Sequence, residues 1–156
     1  MESPRIKMGT ELNNSINSLI RYDYEALLGV ETATEYWGLS TFYSPRPITL
    51  IRDDTLNNDG YETENAINIL FVPNVNTENV VYLSEHLRVT DLEQTVVDMV
   101  RYNRHEFHLY ETLISAIDEH MADEERLEKI ARQYGVYDKM QELFKLALQA
   151  EEEDNE

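Results

Sequence analysis

The sequence predicts an α+β fold, with a small, mainly antiparallel sheet in the first half and a C-terminal layer of about four helices. Runs of strand-forming residues are confined to the part of the chain before residue 90. From Thr90 onward the apolar residues recur with a helical period. Because strands precede helices rather than alternate with them, the pattern favours an α+β arrangement.

Turn residues and apolar spacing divide the first half into short elements. We expect residues 1–9 to form a disordered leader and residues 10–149 to form a single domain. Gly38 is placed to end a short helix that begins near Glu31 or Thr32. The predicted elements are, in order, a helix over Thr10–Arg21, the helix ending at Gly38, a strand over Ile48–Arg52, a turn over Asn57–Gly60, a strand over Ala66–Val72, and a hairpin of Val80–Leu83 with His86–Val89.

The second half opens with a capped helix. Thr90 can accept a hydrogen bond from the amide of Glu93, and Glu93 can reach back to the amide of Thr90, so a helix is predicted to begin at Thr90 or Asp91. Residues 150–156 are predicted to be a disordered acidic tail. Between this helix start and the tail, apolar residues with a helical period predict four groups of side chains that face the core. The groups are Leu92, Val96, Met99 and Val100; Phe107, Tyr110, Ile114, Ile117 and Met121; Leu127, Ile130, Ala131 and Tyr134; and Val136, Met140, Leu143, Phe144 and Ala147.

The charge balance is the extreme property of the composition. Among 156 residues, 31 are acidic and 13 are Lys or Arg, which gives a net charge of -18. Such a chain repels nucleic acid, whose binding depends on cationic contacts to phosphate, so we predict no direct nucleic-acid binding. The acidic charge either steers the protein towards a partner with a basic surface or serves solubility alone.

The residue inventory excludes several further classes of site. The chain has no cysteine, which rules out disulfides, thiolate metal sites and cysteine nucleophiles. No apolar run has the length of a transmembrane helix, and the first residues lack the apolar stretch of a signal peptide. We therefore expect a cytoplasmic protein that does not associate with membranes.

The first helix of the second half carries a polar face. Asp91, Gln94, Thr95 and Asp98 share this face, and Arg101 lies at its end. Paired carboxylates can hold a metal or share a proton, but no histidine or third carboxylate with suitable spacing completes such a site. We therefore predict no catalytic residue, no enzymatic activity, no cofactor and no metal. The face is either solvated or binds a partner.

Two other groups of side chains invite a functional interpretation. His105 and His108 are three residues apart, a spacing that can bring two imidazoles to one cation, but the third ligand of a metal site is lacking. Trp37, with Tyr36 and Phe42, fits a packed aromatic cluster better than a ligand platform.

Four segments occur in an order that is typical of one protein family. Leu87–Val100 joins an apolar strand to Asp-Leu-Glu, a polar residue, Thr, two apolar residues and Asp. Thr32–Ser40 ends in a Gly-Leu-Ser turn, Ile48–Ile51 is a strand, and Leu127–Leu148 is a helical pair with a Tyr-Gly break. Over roughly residues 25–148, the chain resembles the C-terminal domain of AbiEi-family antitoxins of bacterial type IV toxin–antitoxin systems.

The chain departs from that family in three places. Gln94 stands where the family usually has Arg, and Trp37 stands where it often has His. Complete AbiEi antitoxins also carry an N-terminal winged helix-turn-helix that binds DNA. Only about two dozen residues precede the matching region here, so we expect this DNA-binding module to be lacking.

The resemblance implies a binding function. It implies neutralisation of a nucleotidyltransferase toxin of the AbiEii type, and it favours the polar face of Asp91, Gln94, Thr95, Asp98 and Arg101 as the partner-binding surface. Two alternatives stay open. The protein could be a phage or plasmid counter-defence protein that mimics DNA and inhibits a nuclease, restriction or CRISPR effector, or a regulatory domain that kept the fold and lost its toxin.

Overall fold

A five-stranded sheet and a layer of helices make up the described part of the computed structural model, which comprises residues 26–41, 48–53 and 67–154. The predicted leader, the helix over Thr10–Arg21 and the turn over Asn57–Gly60 lie outside the described residues. The elements are β1 (Ala26–Leu28), α1 (Val30–Trp37), β2 (Ile48–Asp53), β3 (Ile67–Val72), β4 (Val80–Tyr82), β5 (Leu87–Thr90), α2 (Leu92–Arg101), α3 (Glu106–Leu113) with a π-helical turn (Ile114–Asp118), α4 (Glu124–Gln133) and α5 (Tyr137–Asp154).

The α+β class is confirmed, since the strands fall in the first half and four helices follow in the second. The sheet is mixed, however, rather than mainly antiparallel. Its strand order is β3-β2-β1-β5-β4. The pairs β1–β2 and β4–β5 are antiparallel, whereas β1–β5 and β2–β3 are parallel. Part of the difference arises from β1, whose three residues are too few to show a period in the sequence and whose insertion at the centre creates the parallel β1–β5 pair. The other parallel pair, β2–β3, joins two strands whose relative direction the sequence pattern does not specify.

The hairpin prediction is confirmed. β4 and β5 pair antiparallel, with Val81 opposite Val89 and Tyr82 opposite Arg88. The connection between them is closed by the amide of Leu83, which donates to the carbonyl of Leu87 at 2.8 Å. In the strand order, β4 is last and so lies at one edge of the sheet formed by the described residues.

The core consists of a helical cluster and a sheet cluster that meet at α1, and of a smaller third cluster of Leu27, Ile51 and Val72. The helical cluster is built on α2, α3, α4 and α5, and the sheet cluster joins β1, β2 and β5 to Ala33 and Tyr36 of α1. Trp37 packs against both. Tyr36 meets the Trp37 ring edge-on, with ring centroids 5.0 Å apart. The packing role predicted for Trp37 and Tyr36 is confirmed, whereas Phe42 lies outside the described residues.

The predicted apolar stripe of α3 is out of phase with the observed one. Leu109, Leu113 and Ala116 are buried, whereas Phe107 is 54% exposed and Ile114 is half-buried. The π-helical turn that begins at Ile114 contributes, because it shifts the face that the following residues present to the core. Leu143 and Phe144 pack against the helical cluster but remain partly exposed.

The predicted acidic tail is helical over most of its length. Helix α5 continues to Asp154, so residues 150–154 extend the helix rather than form a disordered segment. Glu151, Glu152 and Glu153 are exposed. Glutamate is a good helix former, and a helix that is already nucleated can continue through it. Among the described residues, no helix is both long and apolar enough to cross a bilayer.

Candidate functional site

Helix α2 begins at Asp91, one of the two positions predicted, but with a different cap. Thr90 is the last residue of β5, and the Asp91 carboxylate accepts a hydrogen bond from the amide of Gln94 at 2.9 Å. Glu93 does not reach back to complete a capping box with Thr90. Its carboxylate instead accepts from the amide of Asp123 at 2.9 Å and pairs with Arg126 at 3.1 Å.

The polar face predicted to bind a partner is largely buried. Gln94 and Thr95 are fully buried, and Asp98 is 3% exposed. Asp91 and Arg101 are partly exposed. The expectation of a solvent-facing surface is therefore wrong for three of the five residues. Helix α2 packs against both α1 and α4, so its polar side is covered as well as its apolar side.

A chain of hydrogen bonds runs along this covered side. The Asn79 amide donates to Gln94 Oε1 at 2.9 Å, and Gln94 Nε2 donates to Asp98 Oδ1 at 2.8 Å. Arg101 Nη1 donates to the same Asp98 oxygen at 3.0 Å. Each side chain of this network thus has a hydrogen-bond partner, which is the condition for burying such groups without a large penalty.

Arg101 connects this network to helix α4. Its guanidinium lies 3.8 Å from the ring centroid of Tyr134 and 4.8 Å from that of Tyr102, within the range of cation–π attraction. The Tyr134 hydroxyl accepts a hydrogen bond from Asn76 Nδ2 at 2.8 Å. The loop between β3 and β4 is therefore tied to α4 through Tyr134 as well as to α2 through Asn79.

Arg126 is the other junction of the network. Its guanidinium donates to Asp91 at 2.7 Å, to Asn79 at 3.0 Å and to Glu93 at 3.1 Å. Two segments distant from α4 in sequence, the residue before β4 and the start of α2, therefore converge on one cation. The sequence offered a signal for it, because Arg126 lies in the first turn of α4, where the helix dipole disfavours a positive charge.

Burial shifts the acid–base properties of the network. Desolvation raises the pKa of Asp98 to about 6, against the opposing effects of its bonds to Gln94 and Arg101. Desolvation also raises the pKa of Asp91, opposed by the Gln94 amide and Arg126. The pKa of Tyr102 rises to about 12, first through desolvation and then through the negative charge of Asp98.

A second buried ion pair joins α1 to the loop after α2. Arg104 donates to both carboxylate oxygens of Glu31, each at 2.8 Å, and Glu31 is 7% exposed. Bidentate geometry of this kind fixes orientation as well as supplying attraction. The α1 glutamate is thus part of the fold rather than a surface group.

His105, one of the two histidines of the predicted pair, caps a helix. His105 is the N-cap of α3, where its Nδ1 accepts from the amide of Phe107 at 3.2 Å. The rings of His105 and His108 lie 6.1 Å apart. Within the described ranges, no group of three or more His, Asp or Glu side chains is arranged to hold a metal ion.

The exposed acidic side chains lie outside the buried hydrogen-bond network of α2. Of the described residues, thirteen exposed side chains are acidic and four are Lys or Arg. The acidic segment, residues 118–125, carries five of these exposed carboxylates: Asp118, Glu119, Asp123, Glu124 and Glu125. Next to it is a cleft of about 400 Å³, lined by Glu78, Asp123, Glu125, Arg126 and Lys129 among others.

No family model matches the chain, and no curated protein matches it either. The charge and geometry of the acidic surface are therefore the basis for assigning a function.

Proposed function

We propose that the protein is an antitoxin-like inhibitor that neutralises a nucleotidyltransferase toxin of the AbiEii type by binding it. The observation that carries this proposal is the excess of exposed carboxylates over exposed Lys and Arg, thirteen to four among the described residues. An enzyme that acts on nucleotides or RNA needs a basic groove for phosphate. An acidic surface complements such a groove and can occupy it.

The acidic segment is the part of the surface that we propose for docking. We propose it in place of the polar face of α2 that the sequence indicated, because Gln94, Thr95 and Asp98 are buried and bonded to one another or to neighbouring segments. The α2 network has the different role of holding α4, and with it the acidic segment, against the sheet. In this proposal the protein acts as a binding protein rather than an enzyme, and it does not bind nucleic acid. It acts in the cytoplasm, where such toxins meet their substrates.

Co-purification with the product of the neighbouring gene tests the proposal. A complex that forms at low salt and weakens as salt rises from about 50 mM to about 200 mM would support it, since exposed charges are screened over this range. Absence of a complex at low salt would overturn it.

A charge-matched pair of variants separates docking at the acidic segment from a general effect of net charge. Asp118→Lys with Glu119→Lys should weaken capture of the toxin. Glu151→Lys with Glu152→Lys changes the net charge by the same amount on the exposed end of α5 and should leave capture close to wild type. Equal losses in the two variants would contradict docking at residues 118–125.

The same acidic surface supports a second candidate, a counter-defence protein that mimics DNA. Five carboxylates within eight residues present closely spaced negative charge, as a phosphate backbone does. The two candidates differ in their target. A nucleotidyltransferase encoded beside this gene favours the antitoxin, whereas inhibition of a nuclease that is relieved by excess duplex DNA favours the mimic.

A further inference from the structure

Strand β4 has an open side within the described part of the chain. It is the last strand in the order β3-β2-β1-β5-β4 and pairs with β5 alone. The amide of Leu83 donates to Leu87, and the carbonyl of Asn79 accepts from Asp91. In an antiparallel ladder these hydrogen-bonded positions alternate, so residues 79, 81 and 83 direct their backbone groups at β5. The backbone N–H and C=O groups of Val80 and Tyr82 therefore point away from the sheet.

The side chains of β4 itself do not block the addition of another strand. The sequence Val80-Val81-Tyr82 contains no lysine and no proline, the residues that commonly block an edge strand. Val81 is 36% exposed and Tyr82 is 61% exposed. Pairing with β5 extends from Asn79 to Leu83, long enough to present two outward pairs of donor and acceptor groups.

The charged residues that flank β4 determine which kind of polypeptide segment can pair with its open side. Glu78 and Glu85 flank β4 and are exposed. Two copies of this chain would bring like charges together, which is unfavourable for a paired edge. A segment that carries Lys or Arg would meet opposite charge at both ends.

The acidic cleft lies at the start of the same strand. Glu78 and Asn79, which directly precede β4, line the cleft together with Asp123 and Glu125. Two cations also line the cleft: the charge of Arg126 is offset by its ion pairs with Asp91 and Glu93, and the exposed Lys129 is outnumbered by the three carboxylates of Glu78, Asp123 and Glu125. A segment laid along β4 therefore reaches a cleft in which a long cationic side chain finds carboxylates.

We propose that β4 is where the protein partner is held, through an extended segment bearing Lys or Arg that adds a strand to the sheet and inserts a cationic side chain into the cleft. The inference rests on the proposed function and names the mode by which the same partner is captured. Main-chain hydrogen bonds to Val80 and Tyr82 would supply affinity, and the cleft would supply selectivity for a basic side chain.

The probe is a synthetic peptide of about nine residues that alternates valine or threonine with arginine, a typical strand length. Amide hydrogen exchange in the full-length protein should slow at Val80 and Tyr82 when the peptide is added, because these amides gain acceptors. The amide of Val81 already faces β5 and should change much less. Unchanged exchange at Val80 and Tyr82, or equal slowing by a peptide with glutamate in place of arginine, would overturn the proposal.

Substitutions at Tyr82 test the edge in the complex with the toxin. Tyr82→Pro removes an outward N–H, a change that an edge strand can tolerate, and should weaken binding by about tenfold or more. Tyr82→Lys keeps the backbone intact, so it tests the same point if the proline variant does not fold; it should repel a basic segment. Tyr82→Thr preserves strand propensity and is the control that should bind like wild type.

Charge reversal tests the cleft. Glu78→Lys with Glu125→Lys should weaken binding of the basic peptide by about tenfold, as expected when attraction becomes repulsion at close range. Glu142→Lys with Glu152→Lys changes the net charge equally at exposed positions of α5 and should have little effect. Equal effects of the two double variants would contradict the role of the cleft.

The results distinguish this inference from the proposed function. If wild type and a folded Tyr82→Lys variant capture the toxin equally, the role of β4 is overturned and the proposed function stands. If wild type captures no toxin but the basic peptide slows exchange at Val80 and Tyr82, the proposed function falls and the edge site stands. A dimer of wild type that Tyr82→Pro dissociates would show that β4 serves a second copy, and would overturn the inference.

Discussion

The guanidinium of Arg126 lies 2.7 Å from the carboxylate of Asp91, thirty-five residues earlier in the chain. Asp91 thereby has two roles: one oxygen caps α2 through the amide of Gln94, and the other anchors α4 through Arg126. The start of one helix is thus used to place the start of another. Because the acidic segment leads into α4, this ion pair also determines where that segment lies relative to the sheet.

Removing the Arg126 guanidinium should destabilise the fold. Arg126→Met would leave the partly buried carboxylates of Asp91 and Glu93 without their cation, and we expect a loss of about 1 to 3 kcal/mol in the free energy of unfolding, discounted for partial exposure. Urea denaturation measures this loss. Arg132→Met is the control, since Arg132 pairs with Glu128 on the exposed face of α4 and should give no resolvable change. Equal losses in both variants would contradict the anchoring role of Arg126.

Asp98 should make stability fall as pH rises. Its folded-state pKa of about 6 exceeds the unfolded value of 3.8, so the folded state binds more protons between these values. The contribution of Asp98 is therefore most favourable below pH 3.8 and is lost as pH rises through about 6. The loss is on the order of 3 kcal/mol.

Asp98→Asn should remove this pH dependence while keeping an oxygen that accepts from Gln94 and Arg101. Relative to wild type, the variant should gain stability as pH rises towards 7 and should match wild type at the acidic end of the range. Thermal unfolding across the pH series measures the difference, and Asp118→Asn, at an exposed position, is the control. An Asp98→Asn protein that is less stable than wild type at pH 7 would show that the attraction of Arg101 for the charged carboxylate outweighs burial.

The Glu31–Arg104 pair should be costly to break and only partly restored by lysine. Arg104→Ala leaves a carboxylate that is 7% exposed without its bidentate partner, and we expect a loss of about 2 to 4 kcal/mol. Arg104→Lys restores the charge but not the two parallel hydrogen bonds, so it should recover part of the loss. Removing both charges, with Glu31→Gln and Arg104→Met, should cost less than Arg104→Ala alone. Full recovery by lysine would show that charge alone matters at this site.

Gly29, which lies between β1 and α1, is required by its close packing against Ile51 of β2. A Cβ atom at this position would overlap Ile51 Cδ1 and lie 2.6 Å from Ile51 Cγ1. Gly29→Ala should therefore cost about 1 to 3 kcal/mol through overpacking. In a double-mutant cycle, Ile51→Ala should offset part of that cost, because it removes both overlapping atoms. Gly135→Ala is the control: its positive φ is strained by a side chain, but its surroundings are open, so Ile51→Ala should not rescue it.

Local patterns predicted the elements whose determinants are local. The β4–β5 hairpin follows from two strand-forming runs separated by a short connection, and the start of α2 follows from the capping residues around Asp91. The end of α1 follows from Gly38, which takes the positive φ of 77° that a side chain disfavours. Each of these features depends on residues within a few positions of one another.

Features that depend on distant residues could not be predicted in this way. From the sequence alone, the polar face of α2 fits a solvated surface, because the side chains that bind it, Asn79 and Arg126, belong to other segments. An amphipathic pattern reports polarity, and a polar face can be buried when a network satisfies it. The short strand β1 was missed for a related reason, because its place between β2 and β5 is set by pairing with them.

Trp37 is the only tryptophan in the chain, and its indole N–H donates to the carbonyl of Thr90 at 2.8 Å, where β5 ends. Its ring also packs against the helical cluster and the sheet cluster of the core. The fluorescence of this one indole, excited selectively, therefore reports on the boundary between sheet and helices without an added label. If the emission change and the loss of helical circular dichroism coincide during denaturation, the two halves unfold as one cooperative unit. An emission change at a lower denaturant concentration than the loss of helical circular dichroism would instead show that the contact between sheet and helices is lost first.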